Sequence, residues 1–405
     1  MTLAPHIARQ LDEEAAGRAA RRRTIAEVPL GSRQGPRVVL PDGRDVLNLC
    51  SNDYLGLAGD PLLHATVVAA QERWGLGAAA GRIISGTFAP HVALEAELSA
   101  FLGTPASMLF TSCFDANAGL FEALAGPEDL ILSDAHNHAS IIDGIRLSRA
   151  RRATYPSRDL RELRRLLEDA GDARRILIVT DGVFSMDGEG ADLPRLCDLA
   201  DRFDALLIVD DSHGVGVLGP RGQGAISGCG VEGRVDLITG TFGKAFGGLG
   251  GFISGRSELI AALRQTSRPY LFSNALPPAY AEGARYVLRM LQRDEAPLTR
   301  LRENVALLRE ELRRCGAEVA DGQHPIIPII LGDEEVTRAT ASRLRDEGML
   351  VVPLTHPVVA RGQARLRLQV SAAHDPDDLR WAARVIGDAV RRAAVGRVAD
   401  LGRAR

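Results

Sequence analysis

The chain is almost without lysine. Of its 49 Lys plus Arg residues one, Lys244, is lysine, which leaves 48 arginines (49 − 1). Wherever a positive charge alone suffices, this sequence uses a guanidinium, and a primary amine stands at one place. Arginine cannot replace it there, because a guanidinium stays protonated and does not condense with a carbonyl. Other absences narrow the field. Five cysteines (Cys50, Cys113, Cys197, Cys229 and Cys315) form no CxxC pair and are odd in number, which argues against a disulfide framework and a zinc site. No stretch approaches 18 uncharged apolar residues, so no transmembrane helix is expected. The opening MTLAPHIARQLDEEAAGRAARRR mixes acids with arginines and has no apolar leader core, so a cytoplasmic location is expected. Aromatics are scarce at 4% and the net charge is −3, with no basic face interleaved with rings; a nucleic-acid partner is not expected.

What is present suits a globular chain of one large domain and a smaller one: 405 residues, 45% apolar and 25% charged. Residues 1–50 read as an N-terminal arm, with a helical start and a hairpin-like VVLPDGRDVLNL turning on Pro41, Asp42 and Gly43. Residues 51–285 read as a large α/β domain. There, short apolar runs (MLFTS, LILSD, ILIVTDG, ALLIVDDSHG, DLITGTFG) alternate with amphipathic segments, the pattern of a mainly parallel sheet covered on both faces. Residues 286–405 read as a smaller α+β domain, with Arg/Glu/Leu helices at Leu298–Arg314, Thr337–Glu347 and Asp378–Arg392 around HPIIPIILG and ARLRLQVS.

Ligands of open α/β sheets collect beyond the carboxyl ends of the strands, and the chemically distinctive residues sit at such ends. One run ends at Asp181, Gly182 and Ser185, the next at Asp210 and His213, a third at Thr241 and Lys244. Desolvation there lowers an amine's pKa from about 10.4, as an imine-forming lysine requires. A carboxylate such as Asp210 keeps a pyridine nitrogen protonated and makes the ring an electron sink. Together these residues describe a pyridoxal phosphate site. Two other motifs fail their own conditions. Gly214, Gly216 and Gly219 satisfy GxGxxG, but PRGQG follows in place of a helix; Gly243-Lys244 has Ile238 and Ala245 where a phosphate loop needs Gly and Ser or Thr. His136 and His138 lack a neighbouring Cys/Asp/Glu set, so no metal is expected.

The segments SNDYLGLA (51–58), TSCFDANAGLFE (111–122), SDAHNHASIIDGIRL (133–147), TDGVFSMDG (180–188), VDDSHGVG (209–216), TGTFGKAFGG (239–248), SRPYLFSNAL (267–276) and GQARLRLQVSAAH (362–374) resemble the α-oxoamine synthases, above all the glycine C-acetyltransferase branch. The resemblance spans nearly the whole chain. It implies the fold type I of pyridoxal phosphate-dependent transferases, a seven-stranded sheet, a homodimer, and condensation of a small amino acid, glycine foremost, with an acyl-CoA. By the same resemblance Lys244 is the Schiff-base lysine and Asp210 the partner of the pyridine nitrogen. His138 is the residue stacked on the ring, His213 the histidine near its hydroxyl and Ser185 a cofactor-side serine. Cys113, Phe114 and Thr241 form the phosphate cradle, which Ser273 and Asn274 complete from the other subunit. Asn52 and Arg367 hold the substrate carboxylate, a task suited to the bidentate guanidinium.

The match has departures. Ser85 stands where the glycine branch has cysteine, Phe88-Ala89-Pro90 replaces a more polar stretch, and LTHPVV (354–359) a more aromatic one. These leave open another acyl-CoA or small amino acid, while Gly81 and Ile83 argue against succinyl-CoA. A decarboxylating synthase such as 8-amino-7-oxononanoate synthase is the alternative enzyme. A silent or regulatory relative is disfavoured by the presence of Lys244.

Overall fold

The computed structural model describes residues 4–20 and 27–403. In chain order its strands are β1 (Arg37–Val39), β2 (Asp45–Asn48), β3 (Ala106–Phe110), β4 (Leu130–Asp134), β5 (Arg151–Tyr155), β6 (Ile176–Asp181), β7 (Leu206–Asp210), β8 (Leu237–Thr241), β9 (Gly251–Gly255), β10 (Ile326–Gly332), β11 (Met349–Leu350), β12 (Val352–Leu354) and β13 (Ala364–Gln369). Seven form the central sheet in the order β3-β9-β8-β7-β6-β4-β5. The pairs from β8 to β5 are parallel, and β9 runs antiparallel to both its neighbours. The central strands are buried on both faces, so their sequences are continuous apolar runs, as parallel strands under helices require.

Five of the seven strands are the runs named from the sequence. The other two escape that pattern for opposite reasons. β5, RRATY, is an edge strand whose arginines are exposed. β9, GFISG, is fully buried but begins and ends in glycine, which reads as turn chemistry. Gly251 is needed there, because a Cβ on it would lie 2.3 Å from the backbone nitrogen of Cys113. Its absence lets the helix Cys113–Leu124 settle against the sheet.

A second sheet, β10-β13-β12, is antiparallel, with Pro328 opposite Arg367. The hairpin β1-β2 does not stand apart as an arm. β11 adds to β2 in parallel, placing Met349 opposite Leu47. The N-terminal and C-terminal portions are tied further where Gln369 N–H donates to Leu49 O and His374 Nε2–H donates to Asn48 O. One apolar cluster runs through both portions, from Leu47 and Leu109 to Leu366 and Leu368.

Two buried histidines give this junction a pH dependence. Burial pushes His374 and His324 each down to about 4, from an ordinary value near 6.5. Each ring uses both nitrogens: His374 Nδ1 accepts from Ser371 N–H, and His324 Nε2–H donates to His213 O. The unfolded chain binds these protons first, so stability present above pH 6.5 is lost as pH falls toward 4, by about 3 kcal/mol for each ring. The urea midpoint is therefore expected to fall steeply between pH 6.5 and 4.5, with a shallower fall in His374→Gln. A midpoint independent of pH in that window would refute the assignment.

Candidate active site

The carboxyl ends of β4, β6, β7 and β8 open on one side of the sheet, and the N-terminus of the helix Cys113–Leu124 points into the same place. They enclose a cleft of about 200 Å³. Nine residues singled out from the sequence line it: Cys113, Phe114, His138, Asp181, Ser185, Asp210, His213, Thr241 and Lys244.

Lys244 follows β8 on a turn that brings its Nζ to 2.9 Å from His213 Nε2. Burial lowers its pKa, opposed by the charge of Asp210, so the amine sheds its proton more readily than a lysine in water. Asp210, at the end of β7, collects three donors. Asn117 Nδ2 donates at 2.7 Å and the Cys113 thiol at 3.5 Å to Oδ2, while Ser212 N–H donates to Oδ1 at 3.0 Å. Its cross-strand neighbour is another carboxyl, Asp181. Asp181 accepts from His138 N–H at 2.8 Å, and burial, reinforced by the charge of Asp210, pushes its pKa well above the carboxylate range. Two adjacent buried carboxyls do not both ionise cheaply, which is the physical cause of the raised Asp181 pKa.

His138 caps the helix Ala139–Leu147: its Nδ1 accepts from Ser140 N–H, with Ser140 Oγ at 2.8 Å. Burial lowers its pKa, so the ring in the cleft is neutral. At the other wall Ser112 caps the helix Cys113–Leu124 through Asp115 N–H. The first-turn N–H groups at Cys113 and Phe114 have no carbonyl within their helix and face the cleft, a ready anion cradle. Thr241 Oγ1 is committed to its own turn, donating to Gly250 O and accepting from Gly243 N–H, each at 3.0 Å.

The remaining four predicted residues stand off the cleft. Asn52 Oδ1 lies 3.4 Å from the Tyr54 hydroxyl, which reaches His213. Arg367 Nη1 donates to Ser185 O at 3.1 Å, and its buried Nε lacks a partner among the described residues. Ser273 and Asn274 are exposed just beyond the helix Arg268–Phe272. Sequence reasoning gave no role to Asn117, Ser140, Ser212, Tyr54 or Gln369. For Asn117 a signal existed: it lies one helical turn after Cys113, on the same face.

An amine of lowered pKa, a carboxylate with fixed donors, a neutral ring and an anion cradle converge here, and they fit pyridoxal phosphate group by group. Comparisons with known proteins agree. The class I and II aminotransferase family model matches residues 44–386. The chain is 49% identical over 351 residues to the 2-amino-3-ketobutyrate coenzyme A ligase of Escherichia coli K12, covering 86% of this chain and 88% of that one. It is 44% identical over 353 residues to the 8-amino-7-oxononanoate synthase of Thermosipho melanesiensis, covering 87% and 90%. A high-resolution structure of SPT with PLP superposes at a TM-score of 0.90, with 28% identity and coverage of 95% of this chain and 98% of that one. The chain belongs to the class I and II aminotransferase family and, within it, to the pyridoxal phosphate-dependent α-oxoamine synthases.

Proposed function

We propose that this protein condenses glycine with acetyl-CoA, or a closely related short acyl-CoA, to give 2-amino-3-oxobutanoate and free coenzyme A. The observation that carries this reading is the Lys244 amine, of lowered pKa, 2.9 Å from His213 in a strand-end cleft with Asp210. Identity of 49% to a 2-amino-3-ketobutyrate coenzyme A ligase supports the choice of substrates.

Bound pyridoxal phosphate supplies an aldehyde carbon for the amine and a ring that takes up the electron pair left at a substrate Cα. With the cofactor bound, Lys244 would be its attachment point and its Nζ the base that takes the Cα proton. Asp210 would keep the ring nitrogen protonated, and Asn117, Cys113 and Ser212 hold Asp210 in place for it. The neutral His138 ring would cover the face of the bound cofactor, and Ser185 and His213 line the same cleft. Cys113 and Phe114 N–H with Thr241 receive the phosphate, completed by Ser273 and Asn274 of a second copy. Arg367 and Asn52 take the glycine carboxylate, which fixes the Cα–H bond in place for Lys244. The thioester carbonyl then gains a C–C bond as the coenzyme A thiolate leaves.

The second reading is a decarboxylating synthase, favoured by 44% identity to an 8-amino-7-oxononanoate synthase. A thiol-release assay over several amino acids and acyl-CoAs, with product mass, separates them: retained carboxyl carbon supports the first, loss of carbon dioxide the second. A homodimer in the cytoplasm is part of the proposal, and activity lost in parallel with subunit dissociation supports it, whereas an active monomer refutes it. Asn117→Ala removes the shortest donor to Asp210. A hydrogen bond to a charged group is worth ~1.5–3 kcal/mol, so pyridoxal phosphate affinity is expected to fall by roughly tenfold or more, read by equilibrium dialysis.

A further inference from the structure

Behind Lys244 lies a hydrogen-bonded line that joins the large sheet to β13. Lys244 Nζ is 2.9 Å from His213 Nε2, and His213 Nδ1 is 2.8 Å from the Tyr54 hydroxyl. Tyr54 Oη is 3.2 Å from Gln369 Oε1, and Gln369 Nε2 reaches the carbonyl of Cys50. Each side chain but one could be either donor or acceptor, and that ambiguity is removed from the far end. The Cys50 carbonyl only accepts, so the Gln369 amide must present N–H to it and turn its oxygen toward Tyr54. That oxygen only accepts as well. The single Tyr54 proton therefore points at Gln369, and Asn52 Oδ1 at 3.4 Å offers a second acceptor on the same hydroxyl. Tyr54 is left with lone pairs for His213, so Nδ1 carries the imidazole proton.

We infer that Tyr54 and Gln369 are positioning residues which fix His213 as the Nδ1–H tautomer and keep the Nε2 lone pair facing Lys244. This rests on the reading of Lys244 as the cofactor-bearing amine. The consequence is chemical. In the opposite tautomer an Nε2–H would donate into the lone pair of the neutral amine and mask the nucleophile. In the tautomer set here the amine donates one N–H to Nε2 and keeps its lone pair for the aldehyde carbon. Burial, the largest cause, drives the His213 pKa well below its ordinary value, and the Arg367 charge acts in the same direction, so the ring holds one proton rather than two. Tyr54 is fully buried, and His324 packs edge-on against it at 5.6 Å between centroids, which holds the phenol in line.

The test uses the full-length chain freed of cofactor and labelled with 15N-histidine, His213 being assigned by difference against His213→Gln. The expected spectrum has Nδ1 protonated and Nε2 bearing a free lone pair. In Tyr54→Phe that preference is expected to be lost, and capture of added pyridoxal phosphate to slow by about threefold to tenfold, the worth of one hydrogen bond between neutral groups. Should Tyr54→Phe not fold, Gln369→Met is used, in which the freed tyrosine proton is expected to move part of the His213 population to Nε2–H. A protonated Nε2 in the unsubstituted chain overturns the inference, as does a variant with both its tautomer and its capture rate unchanged. A cofactor adduct mapped away from Lys244 would instead defeat the proposed function, whatever the tautomer.

Discussion

Lys244→Arg is expected to lose turnover by a factor on the order of 10⁴ or more, because the variant lacks both the amine that bonds the cofactor and the base that takes the Cα proton. The substitution keeps the positive charge and much of the side-chain volume, so the fold should persist and a loss is chemical. The composition makes this test unusually clean. With one lysine in the sequence, hydride reduction of the loaded protein should leave cofactor on a single side chain. Peptide mass mapping is expected to find it on Lys244 and, in the variant, on none. Turnover retained in Lys244→Arg, or an adduct elsewhere, would end the proposed mechanism.

Asp210→Asn is expected to lower kcat by about 10²–10³, the cost of removing one preorganised charge from a water-poor site. An asparagine oxygen can still accept from Asn117 in place of Oδ2, while its amide nitrogen replaces the acceptor of Ser212 N–H, so the variant loses the charge and one hydrogen bond. Asp181 does not substitute. It sits beside Asp210 in register, but burial, the first cause of its raised pKa, remains when the neighbouring charge is removed. Steady-state kinetics at saturating pyridoxal phosphate separate this from weaker cofactor binding. A kcat within a factor of a few of the parent's would show that the ring nitrogen needs no anion at Asp210.

Much of the large domain was legible because its determinants are local. A parallel strand covered on both faces is a continuous apolar run, and its carboxyl end is marked by the first polar residues after it; LLIVDD and DLITGT each announce both features. The strands that were not legible, β5 and β9, take their place from neighbours rather than from their own pattern. So does the hairpin β1-β2, whose partner β11 lies about 300 residues along the chain. The site divides in the same way. Lys244, Asp210 and His138 follow strands and were readable. Asn117 acquires its meaning only when its helix is laid across the sheet, against the residue 93 positions later that it supports.

The sequence by itself determined where the one lysine is, which strand ends carry the acids and imidazoles, and that the cofactor is an aldehyde-bearing ring. Only the tertiary structure decided how burial biases those groups, raising the pKa of Asp181 and lowering that of Lys244. It also set which nitrogen of His213 faces that amine. The physical reason is that residue identity is local, whereas desolvation and hydrogen-bond direction are set by whatever packs around a group. Here Tyr54, His213, Lys244 and Gln369 come from segments up to 315 residues apart.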